Sequence, residues 1–126
     1  SAIGSCAALT DLNIAENLIS DISSVAKLKK LMYLDFSNNK VSELPKFAKS
    51  CELVSITGSY NEIKSLENLG GLKSLNTVTM DYNKDLSSLK PLIECHRLIE
   101  VSVYGTKVKN SSALSEMSVI VNYDPA

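Results

Sequence analysis

The chain is 126 residues long and 44% hydrophobic, with 13 Lys and Arg against 14 Asp and Glu and a net charge of -1. That size suits one domain able to bury a real core, and the balanced charge excludes an overall field that draws the chain to nucleic acid or to an anionic membrane. No apolar run approaches the roughly 18 residues that cross a bilayer, and no charged-then-apolar leader opens the chain, so it is expected to be soluble with no membrane insertion.

In chain order, residues 2–8 read as the tail of an earlier unit, with Ile3 and Cys6 in its apolar slots. Four similar stretches follow: LTDLNIAENLISDI from Leu9, LMYLDFSNNKVSEL from Leu31, LVSITGSYNEIKSL from Leu53 and LNTVTMDYNKDLSSL from Leu75. A fifth, LIEVSVYGTKV, starts at Leu98, and residues 119–123 look like a last short strand. The starts lie 22, 22, 22 and 23 residues apart, the signature of an internal repeat. The extra residue of the fourth copy falls just after Asn83, so Leu86 takes the slot that Ile19, Val41 and Ile63 hold one place earlier.

Each part of the unit has a physical task. Alternation puts Leu31, Leu34 and Phe36 on one side of a short strand, and Met32, Tyr33 and Asp35 on the other or at its entry. The chain must then turn sharply, burying amides and carbonyls that no helix or sheet ladder pairs. Asparagine offers such a turn both a donor and an acceptor, and it recurs at Asn17, Asn39, Asn61 and Asn83. A stacked asparagine ladder is expected, looser at Thr106, whose hydroxyl makes fewer bonds. The return half of each unit, apolar about every third residue, fits a short 3₁₀ or irregular segment.

The pattern resembles the leucine-rich repeat family, in the 22-residue form LxxLxLxxNxIxxIxxLxxLxxL of bacterial internalin-like surface proteins and of a class of eukaryotic phosphatase regulators. The resemblance covers about residues 2–123 and implies an α/β-type repeat solenoid. It would be right-handed, with a parallel β-sheet on the concave side and 3₁₀ or irregular segments on the convex side. Residues 1–126 then form one domain, with units starting at 9, 31, 53, 75 and 98. Gly58 departs from the pattern, and Phe36 and Met80 in the same column are large enough to lean into its gap.

Cys6, Cys51 and Cys95 read as repeat-mates near the last apolar slot of alternate rungs. Alternate rungs lie on the order of 10 Å apart, too far for a disulfide, so free buried thiols are expected. A zinc site would need His96 to converge with them, and His96 reads instead as a solvated turn residue, so no metal and no cofactor are expected. Gly70-Gly71 lacks the Lys and Ser or Thr of a phosphate loop and reads as a bend. No nucleophile or paired-carboxylate constellation points to an enzyme. Asn110-Ser111-Ser112 matches a glycosylation acceptor only by pattern.

What remains is the outward face of the strands. Its positions include Asp11, Glu16, Tyr33, Asp35, Tyr60, Asp81, Tyr82, Glu100 and Tyr104, and none is Lys or Arg. The concave side is therefore expected to be acidic. Tyr60, Tyr82, Tyr104 and Tyr123 are expected to run down one edge, with Tyr33 further in. Exposed tyrosines among small polar residues are what interaction surfaces favour, although strand propensity alone also places tyrosine there.

These residues point to a non-catalytic module that binds a protein or peptide with basic and apolar features on its concave face. The resemblance favours a bacterial cell-surface or secreted setting. Free cysteines fit a cytosolic adaptor of the phosphatase-regulator kind at least as well. A structural segment of a longer solenoid and a glycan-binding tyrosine strip are further readings. Exposed rung edges leave an edge-to-edge homodimer open.

Overall fold

The computed structural model describes residues 8–124, so Ile3 and Cys6 lie outside it. Short strands carry the outward-facing positions. They are β1 (Asp11–Asn13), β2 (Tyr33–Asp35), β3 (Ser55–Thr57), β4 (Thr77–Thr79), β5 (Glu100–Ser102) and β6 (Ile120–Asn122). They form one parallel sheet in chain order. Leu12, Leu34, Ile56, Val78, Val101 and Val121 share one row across it. Neighbouring strands in one register follow from a repeat whose apolar positions recur at a fixed interval.

The longer fourth unit keeps that register because its extra residue is spent outside the strand. The Leu86 amide donates to the Asn83 carbonyl at 3.0 Å, closing a small turn over Lys84 and Asp85. Asp85 then pairs with Lys107 on the next rung at 3.2 Å. That hydrogen bond from Lys107 holds the Asp85 carboxyl below its usual range.

Inside, Leu31, Leu34, Phe36, Leu53, Ile56, Leu75, Val78 and Met80 are buried in one continuous core. Gly58 is part of that packing. A Cβ at this position would stand 2.3 Å from the Phe36 ring, so the ring occupies the space that the missing side chain leaves.

The asparagines bridge rungs in a repeated pattern. The Asn39 carboxamide donates to Phe36 O of its own rung and Ile14 O of the preceding one, and accepts from Ile19 N. Asn61 repeats this with Gly58 O, Phe36 O and Val41 N. Asn83 does so with Met80 O, Gly58 O and Ile63 N. Asn17 is exposed and, among the described residues, bonds within its own rung, to Ile14 O and Ala15 O. Thr106 is buried and also stays within its rung, donating to Val103 O and accepting from Val108 N. A threonine cannot reach back to the fourth rung, and it does not have to. The Leu86 amide, which an asparagine would have capped, is already taken by the Asn83 carbonyl.

On the convex side, 3₁₀ turns occupy Ser23–Lys27, Glu67–Leu69, Lys90–Glu94 and Ser112–Leu114, and the second return segment has none. Proline placement explains the gap. The residues entering the other turns, Ile22, Leu66, Leu89 and Ser111, have ψ of 22°, 14°, 0° and 14°. Leu44 precedes Pro45, whose ring disfavours that conformation in the residue before it. Pro91 sits one place later, inside the start of its turn, where proline is tolerated. The Leu44 carbonyl is met from the next rung by the Asn68 side chain at 2.7 Å.

Cys51 and Cys95 are free thiols. Cys95 is buried as expected, with Sγ 3.1 Å from Leu69 O, and burial raises its pKa. Cys51 is only half-buried. It lies two residues before its strand leucine, Leu53, whereas Cys95 lies three before Leu98, and that offset turns its side chain partly outward.

Candidate functional site: the concave face

Strand register sets the outward side chains in columns. Asp11, Tyr33, Ser55, Thr77, Glu100 and Ile120 form one, and Asn13, Asp35, Thr57, Thr79, Ser102 and Asn122 a second. Past the strands, Ser37, Ser59, Asp81 and Tyr104 form a third, whose carbonyls accept the amides of Glu16, Asn38, Tyr60 and Tyr82. The floor is small and hydroxyl-rich at β3 and β4, with Tyr33 on one side and Tyr104 on the other. A shallow depression of about 340 Å³ at the β1–β3 end is lined by residues including Asp11, Tyr33, Asp35 and Thr57.

The fourth column is a backbone feature that sequence reasoning missed. Glu16, Asn38, Tyr60, Tyr82 and Gly105 have φ of 61°, 58°, 58°, 59° and 67°, so every rung passes through the left-handed region just before its ladder residue. Glycine and asparagine tolerate that conformation and tyrosine does not favour it. Asn38 and Gly105, aligned in this column, were the signal available in the sequence. Tyr60 and Tyr82 stack here, with ring centroids 4.7 Å apart and planes 13° from parallel. The Tyr82 ring also lies over Gly105, where a Cβ would come within 2.4 Å of it. Both rings remain half exposed, Tyr60 at 54% and Tyr82 at 51%.

The expected single edge of four tyrosines is corrected by this register. Tyr104 stands one column inward, opposite Asp81, because the fifth unit carries Gly105 in the left-handed position. Tyr123 follows Asn122, the partner of Ser102, and so falls in the inward row of Phe36, Gly58, Met80 and Val103. It packs against the core rather than lining the concave face. Tyr33 and Tyr104 are exposed on the face.

The carboxylates differ in how far they are engaged. Asp81 Oδ1 accepts from Ser102 Oγ at 2.7 Å and from the Tyr104 amide at 2.8 Å. Asp35 accepts from the Ser37 amide, and Glu100 from the Asn122 side chain. The side chains of Asp11 and Glu16 are exposed and make no hydrogen bond or ion pair among the described residues. Among those residues no group of three or more His, Cys, Asp or Glu side chains is arranged to hold a metal ion, and no helix is long and apolar enough to cross a membrane.

Solved structures of other proteins share this architecture. Internalin C2 of Listeria monocytogenes superimposes with a TM-score of 0.88 at 25% identity, over 97% of this chain and 54% of that one. An internalin, InlF, of the same organism gives 0.84 at 22% identity, over 98% and 36%. The chain is a leucine-rich repeat solenoid of the internalin-like type. It spans about half the length of internalin C2 and about a third of InlF. No family model matches the sequence, and no curated relative does. An internalin-like repeat fold is a frame for protein interaction. In this chain Tyr33, Tyr60, Tyr82 and Tyr104 stand exposed on the concave face of that frame.

Proposed function

We propose that the chain is a non-enzymatic recognition module whose acidic concave face, edged by Tyr60 and Tyr82, holds a protein or peptide with basic and apolar features. The observation that carries this reading is the left-handed column. Two tyrosines occupy backbone positions that disfavour them, and their rings are spent on a half-exposed stack rather than on the core. A rigid sheet presenting preset side chains lowers the ordering cost of binding. The outward columns carry Asp and Glu and no Lys or Arg, which sets the sign of the partner's charge. The likeness to bacterial internalins favours a cell-surface or secreted setting for this module.

The test is retention of partners from host-cell and bacterial extracts by the wild type beside a Tyr60→Asn, Tyr82→Asn, Tyr104→Ala variant, both checked for equal folding by circular dichroism. A protein held by the wild type and lost by the variant supports the reading. Equal retention, or none by either, removes the concave tyrosines from function.

A further inference from the structure

We infer that the concave rim carries a notch for an arginine side chain of the partner, above Asn38, between the free face of Tyr60 and the carboxylate of Glu16. This rests on the recognition reading above and assigns it a specific contact.

The notch follows from the order of the left-handed column. Tyr82 lies over Gly105, and Tyr60 stacks on Tyr82, so the pile builds from the fifth rung toward the third. It stops there. Tyr60 keeps 54% exposure although one ring face is covered by Tyr82, which leaves its other face open toward the second rung. The residue on that rung is Asn38, exposed, short, and without a side-chain hydrogen bond among the described residues. One rung further stands Glu16, exposed and unpaired.

Spacing selects the occupant. Rungs of a parallel sheet are about 4.8 Å apart, so Glu16 lies about two spacings from Tyr60. A flat group in van der Waals contact with the ring sits about 3.5–4 Å from it, directly above Asn38. The Glu16 side chain, reaching about one spacing along the column, can then set its carboxylate against the edge of that group. A guanidinium meets both demands, being planar enough to stack and a fork of N–H donors for the carboxylate. An ammonium is compact and strongly hydrated and gains less from the ring. The Asn38 carboxamide adds an acceptor below. Lys40 is two residues on, past the buried Asn39, and so stands on the outer flank of the turn.

The test uses a short labelled Gly-Ser peptide bearing arginines, and the same peptide with lysines, titrated by fluorescence anisotropy at low salt. The wild type is expected to bind the arginine peptide about two- to fivefold more tightly, the range of an exposed cation–π contact. Tyr60→Phe should keep that ratio, and both Tyr60→Leu and Tyr60→Asn should bring it to one. Glu16→Gln should weaken the arginine peptide up to about fivefold. Equal binding of the two peptides by the wild type, or a preference that survives Tyr60→Leu, overturns the notch. If Asp35→Asn with Glu100→Gln still weakens both peptides in that case, the acidic-face reading stands without it. Binding of neither peptide sinks both.

Discussion

Replacing Tyr60 and Tyr82 together by asparagine should abolish partner recognition and leave the solenoid close to its original stability. The two residues have φ of 58° and 59°, where an L side chain costs roughly 1–2 kcal/mol relative to the right-handed region and asparagine less than most. Asn38 holds the same position at φ 58°, so the substitution copies a solution already present one rung away. Relief of about 0.5–1 kcal/mol per site is set against the ring pair. Stacking contributes about 0.5–1.5 kcal/mol, and half-covered rings add about 1–2 kcal/mol of lost burial between them. The net change runs from about 0.5 kcal/mol gained to about 2.5 kcal/mol lost. For a domain of this length that is a fall in Tm of at most about 12 °C. Thermal melts followed by circular dichroism, run beside the binding assay, decide the matter. A larger fall would mean that the tyrosines are posts of the fold, and the inference from their strained backbone to recognition would be wrong.

Gly58→Ala forces the Phe36 ring to retreat by about 1 Å in a packed core, which should destabilise by about 1–3 kcal/mol. Combined with Phe36→Leu the loss should be less than additive, and strict additivity in urea melts would show that the two do not share one space. Asn83→Ala, at a fully buried rung, strips partners from Ile63 N, Gly58 O and Met80 O. A loss of about 3 kcal/mol or more is expected, against less than about 1 kcal/mol for Asn17→Ala, whose bonds among the described residues are exposed and stay within its own rung; similar losses at the two sites would refute the cross-rung role. Burial raises the Cys95 pKa, so stability is complete below the ordinary thiol range and declines as the pH rises past it. Alkylation followed by mass spectrometry should label Cys51 in the native protein and spare Cys95 until unfolding, and early labelling of Cys95 would contradict its burial.

The repeat period was legible because the core tolerates little else. Leu34, Ile56, Val78 and Val101 must meet in one row, and a slip of one residue would turn each of them to solvent. The large-small complement of Phe36 and Gly58 was legible for the same reason, since volume in a packed column must sum to a constant. The left-handed column was not. Backbone sign is not written in side-chain polarity, and its trace, Asn38 and Gly105 aligned with two tyrosines, was masked by the tyrosines themselves. The misplacement of Tyr104 and Tyr123 has a related cause. Counting tyrosines along the chain ignores that the fifth unit starts 23 residues after the fourth and that β6 follows β5 by only 20. Register, not spacing, decides which face receives a side chain.

A solenoid of this kind divides its sequence between two masters. Inward positions answer to packing, and the ladder answers to unpaired backbone groups, which leaves the outward strand positions free of both demands and the left-handed residue bound only by its backbone. The constraint of the fold therefore makes those positions informative. Thirteen basic residues are distributed over the chain and none stands in the outward columns, while Asp11, Glu16, Asp35, Asp81 and Glu100 do. Solubility alone would accept either sign there. The tyrosines add a second bias, at positions where the backbone argues against them. A neutral surface would show neither the exclusion of cations nor rings placed at a cost. Together they are the two biases that the proposed recognition of a cationic partner would impose on this face, and retention of such a partner by the wild type beside the tyrosine variant is what decides between that reading and chance.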